Sequence, residues 1–213
     1  MSESARRPIA ARGNRLIRAL AESLARSSVT PNVISMFSIV AAVAGAAALI
    51  YVPGLAGALL CALGIQLRLL CNLLDGMVAV EGGKSTPTGA LYNEYPDRAA
   101  DSVLLVALGF AAGLPWLGWL SALLAALTAY IRLSGGALGL PQSFRGPFAK
   151  QQRMAVMTLA CLLAPVEALL HDARYVLPGA LILIAVGSAL TCVLRARDIA
   201  TQLQQKHAAQ VSS

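Results

Sequence analysis

The chain has 213 residues, of which 57% are hydrophobic and 13% charged, and its formal net charge is +7. A mean hydropathy of +0.68 lies far from soluble usage, which excludes an ordinary water-soluble domain and points to an all-α integral membrane protein. The length suffices for about six spans of about 20 residues with short connections, and it leaves no room for a second folded domain.

Residues 1–28 form a basic segment. Leu16, Leu20 and Leu24 recur at helical spacing while Arg15, Arg18, Glu22 and Arg26 occupy other faces, which predicts an amphipathic helix on the membrane surface, with a plain basic tail as the alternative. No continuous apolar run of a secretory signal occurs before Val33, so the N-terminus is expected to be retained. Thr30, Pro31 and Asn32 supply a cap and a first-turn proline for a helix entering the bilayer.

Residues 29–195 hold six predicted spans: about Val33 to Tyr51, Gly54 to Ala79, Gly89 to Gly113, Trp116 to Leu133, Arg153 to Leu170, and Val176 to Leu194. Glycine, threonine and proline make 82–89 a loop, and a second Gly/Pro-rich loop lies between Arg132 and Lys150. Cys61, Cys71, Cys161 and Cys192 stand singly inside apolar stretches and read as small core residues. Trp116 and Trp119 read as interfacial anchors, Glu167 as a side chain that reaches water, and His171 as an exposed loop residue. The polar, glutamine-rich tail 196–213 is expected to fray.

The basic residues crowd the N-terminal segment and alternate connections, whereas the opposite connections hold only Arg174 with His171 and Asp172. By the positive-inside rule both termini are cytoplasmic. Attraction to an anionic leaflet explains the charge, and nucleic acid is set aside as a partner because no basic stripe with interleaved aromatics is present.

Against this greasy background the run from Asn72 to Asp101 carries carboxylates that are expensive inside a membrane. Asn72, Asp75 and Ala79 share one face of the second span, and Asn93, Asp97 and Asp101 recur every four residues on the third. Two facing helices thus bring oxygen ligands together at the cytoplasmic boundary. Oxygen donors without His or Cys suit a hard cation, Mg²⁺ or Mn²⁺, which in turn suits a phosphate-bearing substrate. Gly76 and Gly89 remove side chains beside those carboxylates and let a nucleotide approach the backbone. A buried polar network holding the bundle together is the bland alternative, and it does not explain glycines and oxygen side chains in register on consecutive helices.

Written as N-x2-D-G-x2-A followed by G-x3-N-x3-D, the run resembles the CDP-alcohol phosphotransferase signature, D-x2-D-G-x2-A-R, about eight residues, then G-x3-D-x3-D. The TPN at 30–32 also resembles that family, and the resemblance covers about residues 28 to 200. It implies a six-helix membrane enzyme, often a homodimer, that transfers a substituted phosphate from a CDP-linked donor to an alcohol and releases CMP. Three positions depart: Asn72 and Asn93 replace aspartates and Val80 replaces the arginine. An amide keeps one neutral oxygen ligand and loses a charge, so a two-metal site with four carboxylates is not carried over intact. Either Glu94 and Asp101 restore charge in the usual register, which preserves the Gly89 spacing and is favoured, or Asp97 and Asp101 become the third and fourth positions.

The expected metal set is therefore Asn72, Asp75, Asn93, Glu94, Asp97 and Asp101, with Asp97 as general base. Asp75, Gly76, Ala79 and Gly89 are expected to hold the nucleotide. Arg132, Lys150 and Arg153 are candidates for a substrate phosphate, with cytoplasmic anchoring as the alternative; for Arg145 anchoring is favoured. Arg68, one turn before Asn72, is expected to pair with Asp75, Asp101 or a substrate phosphate. The resemblance favours transfer of a phosphatidyl group from CDP-diacylglycerol to a polar alcohol at the inner face of a bacterial cytoplasmic membrane. Transfer from a soluble CDP-alcohol to a lipid hydroxyl and a non-catalytic binding homologue are the alternatives.

Overall fold

The computed structural model describes residues 14–170 and 174–211; the expectations for residues 1–13, for His171 and Asp172, and for 212–213 lie outside them. The elements are α1 (Arg15–Arg26), α2 (Pro31–Tyr51), α3 (Gly54–Val80), α4 (Gly89–Ala111), α5 (Pro115–Ala137), α6 (Lys150–Leu170) and α7 (Val176–Val211), with no strand among the described residues. The fold is that of an all-α integral membrane protein. Helices α2, α3, α5, α6 and α7 are long and apolar enough to cross a membrane. At 23 residues α4 is long enough, but Glu94, Asp97, Arg98 and Asp101 in its first half lower its hydropathy.

Local chemistry sets where these helices begin and stop. The Thr30 hydroxyl accepts from Val33 N–H at 3.4 Å while Pro31 occupies the first helical turn of α2, as the TPN run predicts. α4 ends where Gly113 adopts φ +70°, with Leu114 N–H on Gly109 C=O at 2.9 Å and Gly113 N–H on Phe110 C=O at 3.1 Å, a Schellman turn. Glu167 does more than reach water: its carboxylate accepts from Tyr175 N–H at 2.7 Å and Val176 N–H at 3.0 Å, so an anion caps the N-terminus of α7.

α1 has two apolar faces. Ile17, Ala21 and Leu24 pack on Ile34, Leu73, Leu74, Met77 and Val78, while Leu16 stays 79% exposed. Its C-terminal end is held by Lys84, whose Nζ donates to the carbonyls of Ser27 at 2.5 Å and Val29 at 3.2 Å. The surface helix is thus tied to the loop between α3 and α4.

The six long helices close into a ring in the order α2, α4, α5, α7, α6, α3. Its interior is filled by Ile65, Leu104, Leu105, Leu108, Met154, Met157, Leu181 and Ile184, and its outer faces keep large apolar side chains exposed, as lipid requires. Two glycine contacts draw helices together. A Cβ on Gly64 would lie 2.7 Å from Ala41 O and 2.9 Å from Gly45 Cα, and one on Gly109 would lie 2.6 Å from Gly118 Cα. Backbone meets backbone there, between α2 and α3 and between α4 and α5.

The tail departs from expectation. α7 continues for 36 residues to Val211 because Asp198 pairs with Arg145 at 2.8 Å and with Gln202 at 3.0 Å, side-chain contacts that hold the polar turns in register.

Candidate active site

Helices α2, α3, α4, α5, α6 and α7 all contribute to one cavity of about 730 Å³, lined by Asn72, Asp75, Gly76, Ala79, Gly89, Asn93, Glu94 and Asp97 among others. The motif residues from the second and third spans therefore converge. Helical spacing explains it: Asn72, Asp75, Gly76 and Ala79 lie along one stripe of α3, and Asn93 and Asp97 along one stripe of α4. Nothing lies within 4 Å of a Cβ built on Gly76, so its missing side chain opens the cavity wall to a ligand. Val80, at the position of the usual arginine, lines the cavity as well.

Asp75 accepts a hydrogen bond from Ser35 Oγ on α2 at 2.6 Å. Asp97 is densely paired: its Oδ2 meets Lys150 Nζ at 2.5 Å, and its Oδ1 meets Arg68 at 3.3 Å and accepts from the Asn72 amide. Both carboxylates are at least nine-tenths buried, yet both belong to the cavity wall.

Three of the expected residues are held in ion pairs with the protein itself. Asp101 is 2% exposed and absent from the cavity lining; it sits between Arg68 at 2.6 Å and Arg153 at 2.8 Å. It is one turn deeper than Asp97, where a buried carboxylate is held by paired guanidinium groups. Arg68 is fully buried and outside the lining; it pairs with Asp101, one of the partners expected for it, and with Asp97 at 3.3 Å. Glu94 lines the cavity but pairs with Arg132 at 2.5 Å, one residue around the helix from Asn93 and turned toward α5.

Basic residues share the cavity. Arg132, Lys150 and Arg153 line it as expected, joined by Arg195 from α7, which the sequence marks only as a cytoplasmic charge. Arg195 donates to Thr128 C=O at 2.6 Å and to Arg145 C=O at 2.9 Å, and Arg153 donates to Phe148 C=O at 2.9 Å. Arg145, expected as an anchor, pairs with Asp198 outside the cavity. Ser35 is the other residue that sequence reasoning missed. The signal was available, since it falls one turn after Pro31 in the TPN run.

The donor set is compatible with a divalent ion. No group of three or more His, Cys, Asp or Glu side chains placed to hold a metal occurs among the described residues. The acids alone do not form a cage. Asp75 and Asp97 with the amide oxygens of Asn72 and Asn93 form a hard oxygen set, and Mg²⁺ is commonly held by one or two carboxylates completed by water and phosphate oxygens.

The model of the CDP-alcohol phosphatidyltransferase family matches residues 28–193. The chain belongs to this family. As a family member it is a multi-pass membrane enzyme that transfers substituted phosphate groups. It is 34% identical over 149 residues to the archaetidylinositol phosphate synthase of Aeropyrum pernix, covering 70% of this chain and 74% of the relative. It is 25% identical over 210 residues to the phosphatidylinositol phosphate synthase of Streptomyces avermitilis, covering 92% and 82%. In fold it is similar to the Mycobacterium tuberculosis phosphatidylinositol phosphate synthase. The form with CDP-DAG bound superposes with a TM-score of 0.72 at 24% identity over 87% of this chain and 94% of that one; the form with manganese and citrate gives 0.73 at 23% over 87% and 89%.

Proposed function

We propose that this family member transfers a phosphatidyl group from CDP-diacylglycerol to a phosphorylated inositol, releasing CMP. One observation carries the reading: the oxygen ligands and glycines of the family motif line the same cavity as Arg132, Lys150, Arg153 and Arg195. The acidic and glycine positions suit a metal-bound diphosphate, and the basic residues beside them suit an acceptor that itself bears a phosphate. The names of both relatives, synthases of inositol phosphate lipids, support the acceptor, and the CDP-DAG complex of the Mycobacterium tuberculosis enzyme supports the donor.

The chemistry assigns roles. Gly76, Ala79 and Gly89 admit the nucleotide to the wall of α3 and α4. A divalent ion, Mg²⁺ or Mn²⁺, held by Asp75 and Asp97 with Asn72 and Asn93, would neutralise the diphosphate as CMP leaves. The basic residues orient the acceptor hydroxyl toward the phosphorus, and Asp97 takes its proton as the new P–O bond forms. All six long helices span the bilayer, α4 included, with both termini and the cavity mouth on the cytoplasmic side of a bacterial inner membrane, and the enzyme works as a homodimer.

The test is CMP release by the purified chain in vesicles with Mg²⁺ or Mn²⁺, offered CDP-diacylglycerol and, in parallel, inositol phosphate, free inositol and glycerol phosphate. Release only with inositol phosphate is expected. Release with a soluble CDP-alcohol and a lipid hydroxyl, but not with CDP-diacylglycerol, overturns the donor assignment; release with no acceptor tried overturns nothing less than the transfer itself.

A further inference from the structure

We propose that the ligand cluster of this chain holds a single divalent cation, and that the Lys150 ammonium supplies the second positive centre at Asp97. The inference rests on the metal-dependent reading above and adds the number of ions.

Five oxygen side chains line the cavity from α3 and α4, namely Asn72, Asp75, Asn93, Glu94 and Asp97, and the Glu94 charge is met by Arg132 at 2.5 Å, which leaves the two aspartates to balance a cation. Two negative charges balance one dication. A second would have to be held by neutral amides, and amide oxygens alone are poor compensation for removing a dication from water.

Asp97 is also already supplied with cations from the protein. Lys150 Nζ lies 2.5 Å from its Oδ2, Arg68 lies 3.3 Å from its Oδ1, and Arg98 is 3.5 Å from Oδ2. The Asn72 amide nitrogen donates to Oδ1 as well. An amide that gives its N–H to a carboxylate has only its neutral oxygen left for a metal, so Asn72 orients Asp97 and adds no charge to the ligand set. Lys150 begins α6 and lines the cavity, and an ammonium is a compact, movable point charge suited to this place. A dication brought beside it would be repelled at close range in a half-buried site. Asp75, by contrast, has Ser35 Oγ as its hydrogen-bond donor at 2.6 Å and no lysine or arginine within ion-pair distance among the described residues. The ion therefore belongs at the Asp75 side of the cluster. Lys150 is a positioning residue for Asp97.

The experiment titrates the metal-free full-length chain in lipid nanodiscs with Mn²⁺, counting bound ions calorimetrically and recording their electron paramagnetic resonance spectrum. One ion per chain with an uncoupled six-line spectrum is expected. Asn72→Asp with Asn93→Asp should raise the count to two and produce a spin-coupled spectrum, and Lys150→Met should tighten Mn²⁺ binding about tenfold. Two coupled ions in the wild type, a count that stays at one in the double variant, or unchanged affinity in Lys150→Met each overturns the proposal. CMP release separates the two readings. Two ions with CMP release defeats the single-ion inference alone, whereas no Mn²⁺ bound and no CMP released defeats the proposed function with it.

Discussion

Ser35 on α2 gives its hydroxyl proton to Asp75 on α3 across 2.6 Å, so the carboxylate proposed to hold the metal is aimed by a different helix. The same oxygen lies 3.1 Å from Pro31 C=O, so its single proton is shared between a strong contact to the carboxylate and a weaker one to the backbone. Ser35→Ala is expected to lower CMP release about tenfold, the scale of one hydrogen bond to a charged group, while the heat-denaturation midpoint in detergent changes little. An unchanged rate would show that Asp75 needs no support from α2.

Asp75→Asn and Asp97→Asn are each expected to abolish CMP release while the protein still elutes as a folded species. The substitutions keep volume and remove charge, so the loss falls on metal binding and proton transfer and spares packing. Retention of more than a few per cent of the rate in either variant would remove that residue from the mechanism.

Chelation of divalent metals should stop turnover, and Mg²⁺ or Mn²⁺ added back should restore it. Activity that persists through exhaustive chelation would mean that the cations of Arg68 and Lys150 suffice at Asp97.

Arg68→Met is expected to destabilise the bundle by about 3–5 kcal/mol, because it strands two buried carboxylates, Asp97 and Asp101, with fewer partners. The check is heat or denaturant unfolding in detergent. Adding Asp101→Asn to Arg68→Met should recover part of the loss, which a simple cavity left by the arginine would not allow.

Two glycine substitutions should behave oppositely. Gly76→Ala places a methyl where nothing lies within 4 Å, so the fold is kept while KM for the CDP-linked donor rises. Gly64→Ala drives a methyl to 2.7 Å from Ala41 O, so stability falls. Both KM and the unfolding midpoint are to be measured for each variant.

Much of the site was legible because helical periodicity is local. Asn72, Asp75, Gly76, Ala79, Asn93 and Asp97 needed only spacings of three and four to be placed on two facing stripes, and the structure puts them on one cavity wall. What spacing cannot show is depth and partner. Asp101 fits the same period as Asp97, but Arg153 comes from 52 residues away to pair with it, and that contact turns a candidate ligand into a brace. Glu94 was drawn into the ligand set by charge alone, although it is one residue around the helix from Asn93 and meets Arg132 from α5. The same limit applies to the fold. The long helices, five of them apolar enough to cross a membrane, could be read from hydropathy and spacing, while the continuation of α7 is accompanied by Arg145 reaching Asp198 across 53 residues.

The glycine contacts lie away from the chemistry: Gly64 precedes Gly76 by 12 residues and Gly109 follows Asp97 by 12, about 18 Å along each axis. Two helix pairs are therefore pinned backbone to backbone at the end remote from the cavity. A methyl group added to Gly109 would press α4 away from Gly118 on α5, and its effect would reach a substrate only along the helix that carries Asp97.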